Sequence, residues 1–309
     1  MEKRNLNCLF ILILICFSLF SVSALDPNKT QVDNKINVGI YILNLGKYDI
    51  STGSFIADFY LDLKCDNVCP EQDFEFMNGR AITLDKEIDE PNEKFYRIQA
   101  ELNSPVNLKK FPFDNQKLEI ILEDKTNTIE ELQYVPNLEE SGIDPSVTFI
   151  GWNIKNLTAE SHKHYYPVYD ETYSQYVLTV PISRLITSSI FKSFLPITFI
   201  ILVMLSSFIL GPHELTTRLA MVGSALVASV MFHVSLAGQI PPVGYLTFID
   251  KFMVVTYFVV LMSFVFDVYL LELQEKKKIE LVQKLHSYAK LTMFIIVPIL
   301  YLILFLFFM

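Results

Sequence analysis

The sequence predicts an N-terminal all-β sandwich joined to a C-terminal all-α bundle of four membrane-spanning helices. Three observations carry that reading. Between Leu25 and Ser189 several segments alternate apolar and polar residues, the period of a half-buried strand. After Ser189 the composition changes abruptly to four apolar stretches of spanning length. The chain of 309 residues is 51% hydrophobic yet 19% charged, which fits a membrane part attached to a water-exposed part.

The first element is a targeting segment. Lys3 and Arg4 precede an apolar run from Leu9 to Phe20, and Val22-Ser23-Ala24 supplies small residues for cleavage. Residues 1–24 therefore read as a secretory signal peptide, and residue 25 onward is expected outside the cytoplasm. A retained anchor is the alternative, disfavoured because the run is short for a span.

Residues 25–189 form the predicted β domain. In INVGIYI, Ile36, Val38, Ile40 and Ile42 share one face. In SFIADFYLDLK, Phe55, Ala57, Phe59, Leu61 and Leu63 oppose Asp58, Asp62 and Lys64. YRIQAEL, KLEIILED and YVLTVPI repeat the pattern, and LDPNKT, STGS, EPNE, NSPVN and SGIDPS supply the turns. A length of 165 residues can bury an independent core. The domain carries 27 acidic and 15 Lys or Arg residues, a net of -12, which excludes a nucleic-acid partner. Such a surface either is simply solvated or attracts cations. Cys65 and Cys69, in CDNVC, are expected to form a local disulfide in an oxidising compartment. A metal pair is the weaker alternative, since no His or third Cys lies nearby in sequence. No metal and no cofactor is expected.

Residues 190–309 form the predicted membrane domain, with helices at about 190–210, 215–238, 248–271 and 289–309. Gly211-Pro212 allows a fresh helix start, and Pro241-Pro242 makes a stiff link. Lys276, Lys277, Lys278 and Lys284 lie between the third and fourth spans, which places that connection in the cytoplasm and both the β domain and the C-terminus outside. The stretch Gln274–Ser287 reads as a short linker.

The second span differs from its neighbours, since 11 of the 24 residues from Leu215 to Gly238 are Ala, Gly, Ser or Thr. Ala220, Ser224, Val227, Met231, Val234 and Gly238 fall on one helical stripe. Extended inward, the stripe meets Thr216, Thr217, His213 and Glu214. In a ring of copies it would line a pore with a polar mouth and a hydrophobic constriction. A helix-packing face explains the small residues equally well. His233, two residues past Met231, is off the stripe and reads as a packing histidine.

These motifs, in this order, resemble the pentameric ligand-gated ion channels, the Cys-loop receptor superfamily, and its prokaryotic-type members above all. FPFDNQ (Phe111–Gln116), Arg184 twelve residues before Pro196, TTRLAMVGSALVASV and IPPVGYLTFID carry the likeness, with the β domain and four spans around them. The resemblance implies a homopentamer with an immunoglobulin-like sandwich of about ten strands in each subunit. It implies a pore lined by Glu214, Thr216, Thr217, Ala220, Ser224, Val227, Met231, Val234 and Gly238, with Val227 at the gate. It also implies a gating junction of Asp49, Phe111, Pro112, Phe113, Asp114, Arg184, Pro241 and Pro242, in which Asp114 pairs with Arg184. Two features depart from the animal receptors: no cysteines bracket the FPFD loop, and no long cytoplasmic region follows the third span.

By the same resemblance, agonist binds between subunits in an aromatic box made of Phe74, Phe76, Tyr134, Tyr165, Tyr166, Tyr169 and Tyr173. Asp170 and Glu171 nearby favour a primary amine as the small-molecule agonist, and protons are the rival stimulus. Glu214 in a five-fold ring favours permeant monovalent cations. The competing function is a non-conducting, membrane-anchored binding receptor. An enzyme is not expected, because no nucleophile motif, metal cluster or phosphate loop is present in the sequence.

Overall fold

A computed structural model describes residues 34–308. The expected signal peptide, residues 1–24, lies outside the described residues. The N-terminal part is a sandwich of eleven strands: β1 (Lys35–Asp49), β2 (Ser54–Lys64), β3 (Phe74–Phe76), β4 (Gly79–Glu90), β5 (Glu93–Asn103), β6 (Asn115–Asp124), β7 (Gln133–Pro136), β8 (Gly142–Ile143), β9 (Trp152–Ile154), β10 (Thr158–Tyr166) and β11 (Glu171–Arg184). One sheet runs β4-β5-β2-β1-β7, with β8 also on β1; the other runs β10-β11-β6-β3, with β9 on β11. β7 and β8 lie parallel to β1, and the longer neighbours pair antiparallel.

Alternation decides the inner face. The register Val38↔Leu63, Ile40↔Leu61 and Ile42↔Phe59 puts apolar side chains together across β1 and β2. They meet Leu118, Ile120 and Leu122 of β6 and Tyr176, Leu178 and Val180 of β11 in one buried core. Burying each such side chain stabilises the fold by about 1.5–3 kcal/mol, and a one-residue slip would turn the whole set toward water. The β1–β2 turn depends on Gly53, whose φ of 76° favours glycine. Its N–H donates to the Asp49 carbonyl at 2.7 Å. A Cβ there would lie 2.1 Å from the Ser104 carbonyl oxygen. Cys65 and Cys69 are joined by a disulfide, with Cα atoms 5.3 Å apart. Their backbone N–H groups donate to Asn92 and Pro91 carbonyls, which ties that loop to the β4–β5 turn.

Four helices follow: α1 (Ile186–Ser207), α2 (Leu215–Ala237), α3 (Phe248–Glu275) and α4 (Ile279–Phe308). All four are long and apolar enough to cross a membrane. A π-helical segment, Ile190–Phe194, interrupts α1. The structure differs from the expected linker at Gln274–Ser287. α3 runs on to Glu275 and α4 starts at Ile279, so only Lys276–Lys278 turns the chain. Hydropathy stops at the edge of the apolar run, but Lys, Glu, Gln and Leu are good helix formers and carry both helices past it. α3 begins with a capping box: Thr247 Oγ1 accepts from the Asp250 N–H at 3.3 Å, and Asp250 Oδ2 accepts from the Thr247 N–H at 2.8 Å. α2 packs between α1 and α3, while α4 leans on α3 and is the least buried of the four.

Candidate functional site

Three groups of side chains stand apart from ordinary packing: a tyrosine hairpin on the sandwich, a junction between the two halves, and the two faces of α2.

The hairpin joins β10 to β11. Tyr166 meets Tyr173 edge-on at 5.5 Å and Tyr169 at 6.5 Å between ring centroids. Tyr165 Oη donates to Asp170 at 2.9 Å and Tyr173 Oη to Glu171 at 2.9 Å. These bonds raise both phenol pKa values, so the hydroxyls stay protonated donors. Beneath the hairpin lies a carboxylate the sequence reading missed, Glu123 of β6. It is 3% exposed. Tyr166 Oη donates to it at 2.7 Å, Gln175 Nε2 at 3.0 Å, and His164 Nδ1 lies 2.8 Å away. Burial, followed by the bond to Glu123, raises the Tyr166 pKa. In the sequence Glu123 looks like the polar end of a strand. Only the pairing Gln175↔Glu123, with His164↔Tyr173 beside it, brings the cluster together.

Of the residues expected in the aromatic box, Tyr134 and Phe76 are buried in the core of the protomer and half-buried Phe74 packs against it. Tyr134 is 2% exposed. Phe76 is buried, and Phe74 packs edge-on against Tyr96 at 5.2 Å. β-Alternation turns all three inward, a choice that aromatic content cannot reveal.

At the junction, Arg184 grips Asp114 with two bonds, Nε to Oδ1 at 2.6 Å and Nη2 to Oδ2 at 3.3 Å. Asp114 is 1% exposed and also accepts from Gln116 Nε2 at 2.7 Å. The guanidinium is sandwiched between Trp152 at 4.5 Å and Phe111 at 5.1 Å. A paired, hydrogen-bonded charge can be held in such a dry place, whereas an unpaired one cannot. The Phe111–Pro112 bond is cis. The Phe111 carbonyl accepts from the Ile249 N–H at 3.2 Å, and Tyr245 Oη accepts from the Leu108 N–H at 2.9 Å. Phe113 stacks on Phe194 at 5.5 Å. The FPFD loop thus touches α1 and the start of α3 directly.

Three further expected junction residues lie at the β1–β2 turn and in the link before α3. The Asp49 carboxylate accepts from the Ser51 N–H at 2.8 Å within its own turn, and its neighbour Ile50 is the residue that packs into the junction. In the link before α3, Pro241 is half-buried and Pro242 exposed, and Ile240, Val243 and Tyr245 beside them pack into that apolar cluster.

α2 has two faces. Arg218, Val222, Ala225, Ser229 and Leu236 are buried against neighbouring helices. Ala220, Ser224, Val227, Met231, Val234 and Gly238 all lie exposed on the other side, together with Glu214, Thr216 and Thr217. Val227, Met231 and Val234 are each 64–65% exposed. Small residues therefore serve packing on one face, and the expected stripe is free on the other. Arg218 is turned wholly inside. Its Nη1 lies 2.7 Å from His286 Nδ1, its Nη2 donates to Asp267, and its guanidinium stacks on Phe208 at 4.8 Å. His233 is satisfied by Tyr257 at 2.8 Å and Asp250 at 2.9 Å.

Together these define a multi-pass membrane protein in which a β-sandwich meets, through a charged junction, a bundle whose second helix has one packed and one exposed face. No family model matches the sequence. The chain is similar to a proton-gated ion channel of Gloeobacter violaceus, with 27% identity over 152 residues. That alignment covers 49% of this chain and 42% of the relative, so less than half of that protein's length is matched. The similarity supports a relationship to ion channels.

Proposed function

We propose that the chain is the subunit of a homopentameric ligand-gated ion channel, with the β domain outside the cell and α2 lining the pore. One observation carries this reading: the exposed stripe of α2 runs from Glu214 and the two threonines to Val227, Met231 and Val234, while the opposite face packs. An anchor has no use for a polar lane that gives way to an apolar ring. Five copies put the valines opposite one another, and a narrow apolar ring closes by dewetting. Asp114, Arg184 and the FPFD loop carry movement of the sandwich to α1 and α3.

The channel is cation-selective. Arg218, the basic residue at the start of α2, is neutralised by Asp267 and hidden from the stripe. Glu214 stands exposed there and accepts from Thr217 Oγ1 at 3.1 Å. The lysines between α3 and α4 favour a cytoplasmic side for that turn.

The stimulus acts on the hairpin above Glu123. Tyrosine faces with Asp170, Glu171 and Glu123 suit a primary ammonium ligand. Protons are the second reading, favoured by the proton-gated relative.

The test is current through Val227→Ser in the full-length protein, with surface delivery measured in parallel. A hydroxyl at the ring wets it, so a leak without any stimulus is expected, reversing near the cation potential in asymmetric salt. Reversal at the chloride potential ends the selectivity reading. Surface-delivered protein that never leaks removes Val227 as the gate and brings forward the non-conducting receptor.

A further inference from the structure

Where the FPFD loop, the start of α1 and the residue beyond α2 meet, the junction holds a cavity of about 170 Å³. Its polar wall is Arg184, Ser188, Lys192, Ser193 and Gln239, and none of the described residues that line it is acidic. The donors on this wall are unused. Ser193, in the π-helical turn, is 3% exposed, and its hydroxyl forms no hydrogen bond with a described residue. Ser189, one turn back, does donate, to the Leu185 carbonyl at 3.0 Å. The Lys192 ammonium and the side chains of Ser188 and Gln239 likewise have no partner among the described residues. The Arg184 guanidinium has its faces covered by Trp152 and Phe111 and gives Nε and Nη2 to Asp114, which leaves Nη1 uncommitted. A buried hydroxyl without an acceptor is costly unless one arrives from outside the fold.

We propose that this cavity binds a small monovalent oxoanion of the bicarbonate type. Charge selects a single negative charge. Asp114 cancels Arg184, so Lys192 leaves the wall with one net positive charge. A dianion would keep a charge unpaired in a partly buried place. Shape selects an oxoanion, because several oxygens can accept from donors on different sides, and a planar one suits the flat edge of a guanidinium. Lys192 and Arg184 Nη1 meet the charged oxygens, Ser188 and Ser193 donate to them, and the hydroxyl of the anion donates to Gln239 Oε1. The ligand joins three parts of the molecule. Arg184 ends β11, Ser188, Lys192 and Ser193 belong to α1, and Gln239 follows the exposed stripe of α2. Occupancy therefore favours the arrangement of the junction in which all three converge. Any effect on gating rests on the channel reading; the binding does not.

The experiment reads the fluorescence of Trp152, the chain's only tryptophan, whose ring lies 4.5 Å from the Arg184 guanidinium. Purified full-length protein is titrated with sodium bicarbonate at fixed pH, with sodium chloride holding the ionic strength constant. A saturable change is expected. Lys192→Gln should weaken the apparent affinity about tenfold, and Ser193→Ala about threefold. Lys110→Gln, a lysine of the neighbouring loop that does not line the cavity, should leave it unchanged. The absence of a saturable change overturns the proposal, as does an affinity that neither cavity variant alters. An equal loss in Lys110→Gln also overturns it, since diffuse surface charge would then be the cause. Dioctanoyl phosphatidylglycerol offers a monovalent phosphodiester instead. If it saturates the signal and bicarbonate does not, the cavity holds a lipid headgroup and the proposal falls. Circular dichroism of each variant checks that the helices are intact. Binding is read without any current, so its failure and a failure to conduct remain separate results.

Discussion

At the scale of single residues, the junction concentrates its energy in one pair. Asp114 is buried, and Arg184 meets it with a planar fork that also stacks between two aromatic rings. Arg184→Ala leaves that carboxylate unpaired, so a loss of about 3–5 kcal/mol is expected in denaturant unfolding of the purified protein. Arg184→Lys keeps the charge but loses the fork, and should fall between the two. Other carboxylates set the response to acid. Hydrogen bonds from Ser51 and Ser146 hold Asp49 and Asp144 below the ordinary aspartate pKa. A lowered folded pKa contributes stability above the unfolded value that is lost as pH falls through the folded one. The thermal midpoint of the β domain should therefore drop below about pH 4. Asp62 acts in the opposite sense. Burial raises its pKa, so taking up a proton costs the folded state less than the unfolded one. Asp62→Asn should abolish the small rise in midpoint that mild acidification brings; an unchanged pH profile would assign that rise elsewhere.

At the scale of elements, alternation made β1, β2, β5, β6 and β11 legible, because a half-buried strand writes its burial into the sequence. The three-residue β3 and the two-residue β8 were not legible, since so few residues display no period. The β1–β2 turn is the weak point of this layer. Gly53→Ala puts a Cβ against the Ser104 carbonyl at a left-handed φ, and should destabilise the sandwich by more than about 1 kcal/mol. The same turn carries Ile50 into the junction, so any current should become harder to evoke as well; a variant with unaltered unfolding and gating would contradict that link. For α2 the stripe of six residues was readable from spacing, and the structure leaves all six exposed. The burial of Arg218 was not readable, because its partners Asp267 and His286 come from α3 and α4, far along the chain.

At the scale of the whole molecule, the surfaces a single protomer leaves uncovered include the α2 stripe and the strand β4, on which none of the residues is buried. Exposed Ile82 and Leu84 on that strand are what a neighbouring copy would cover. Native mass measurement in detergent should accordingly give five copies; a stable monomer would leave the stripe without a pore to line. The sequence alone determined the two-part architecture, the four spans, the stripe and the Asp114–Arg184 pairing. Periodicity and composition are local, and the pairing followed from a resemblance carried by short motifs. Tertiary structure alone decided that Tyr134 is core, that Glu123 lies beneath the tyrosine hairpin, and that Ile240, Val243 and Tyr245 pack into the junction. Each depends on which distant segments become neighbours, and side-chain contact across a sheet or between helices leaves no period in either strand or helix to be read.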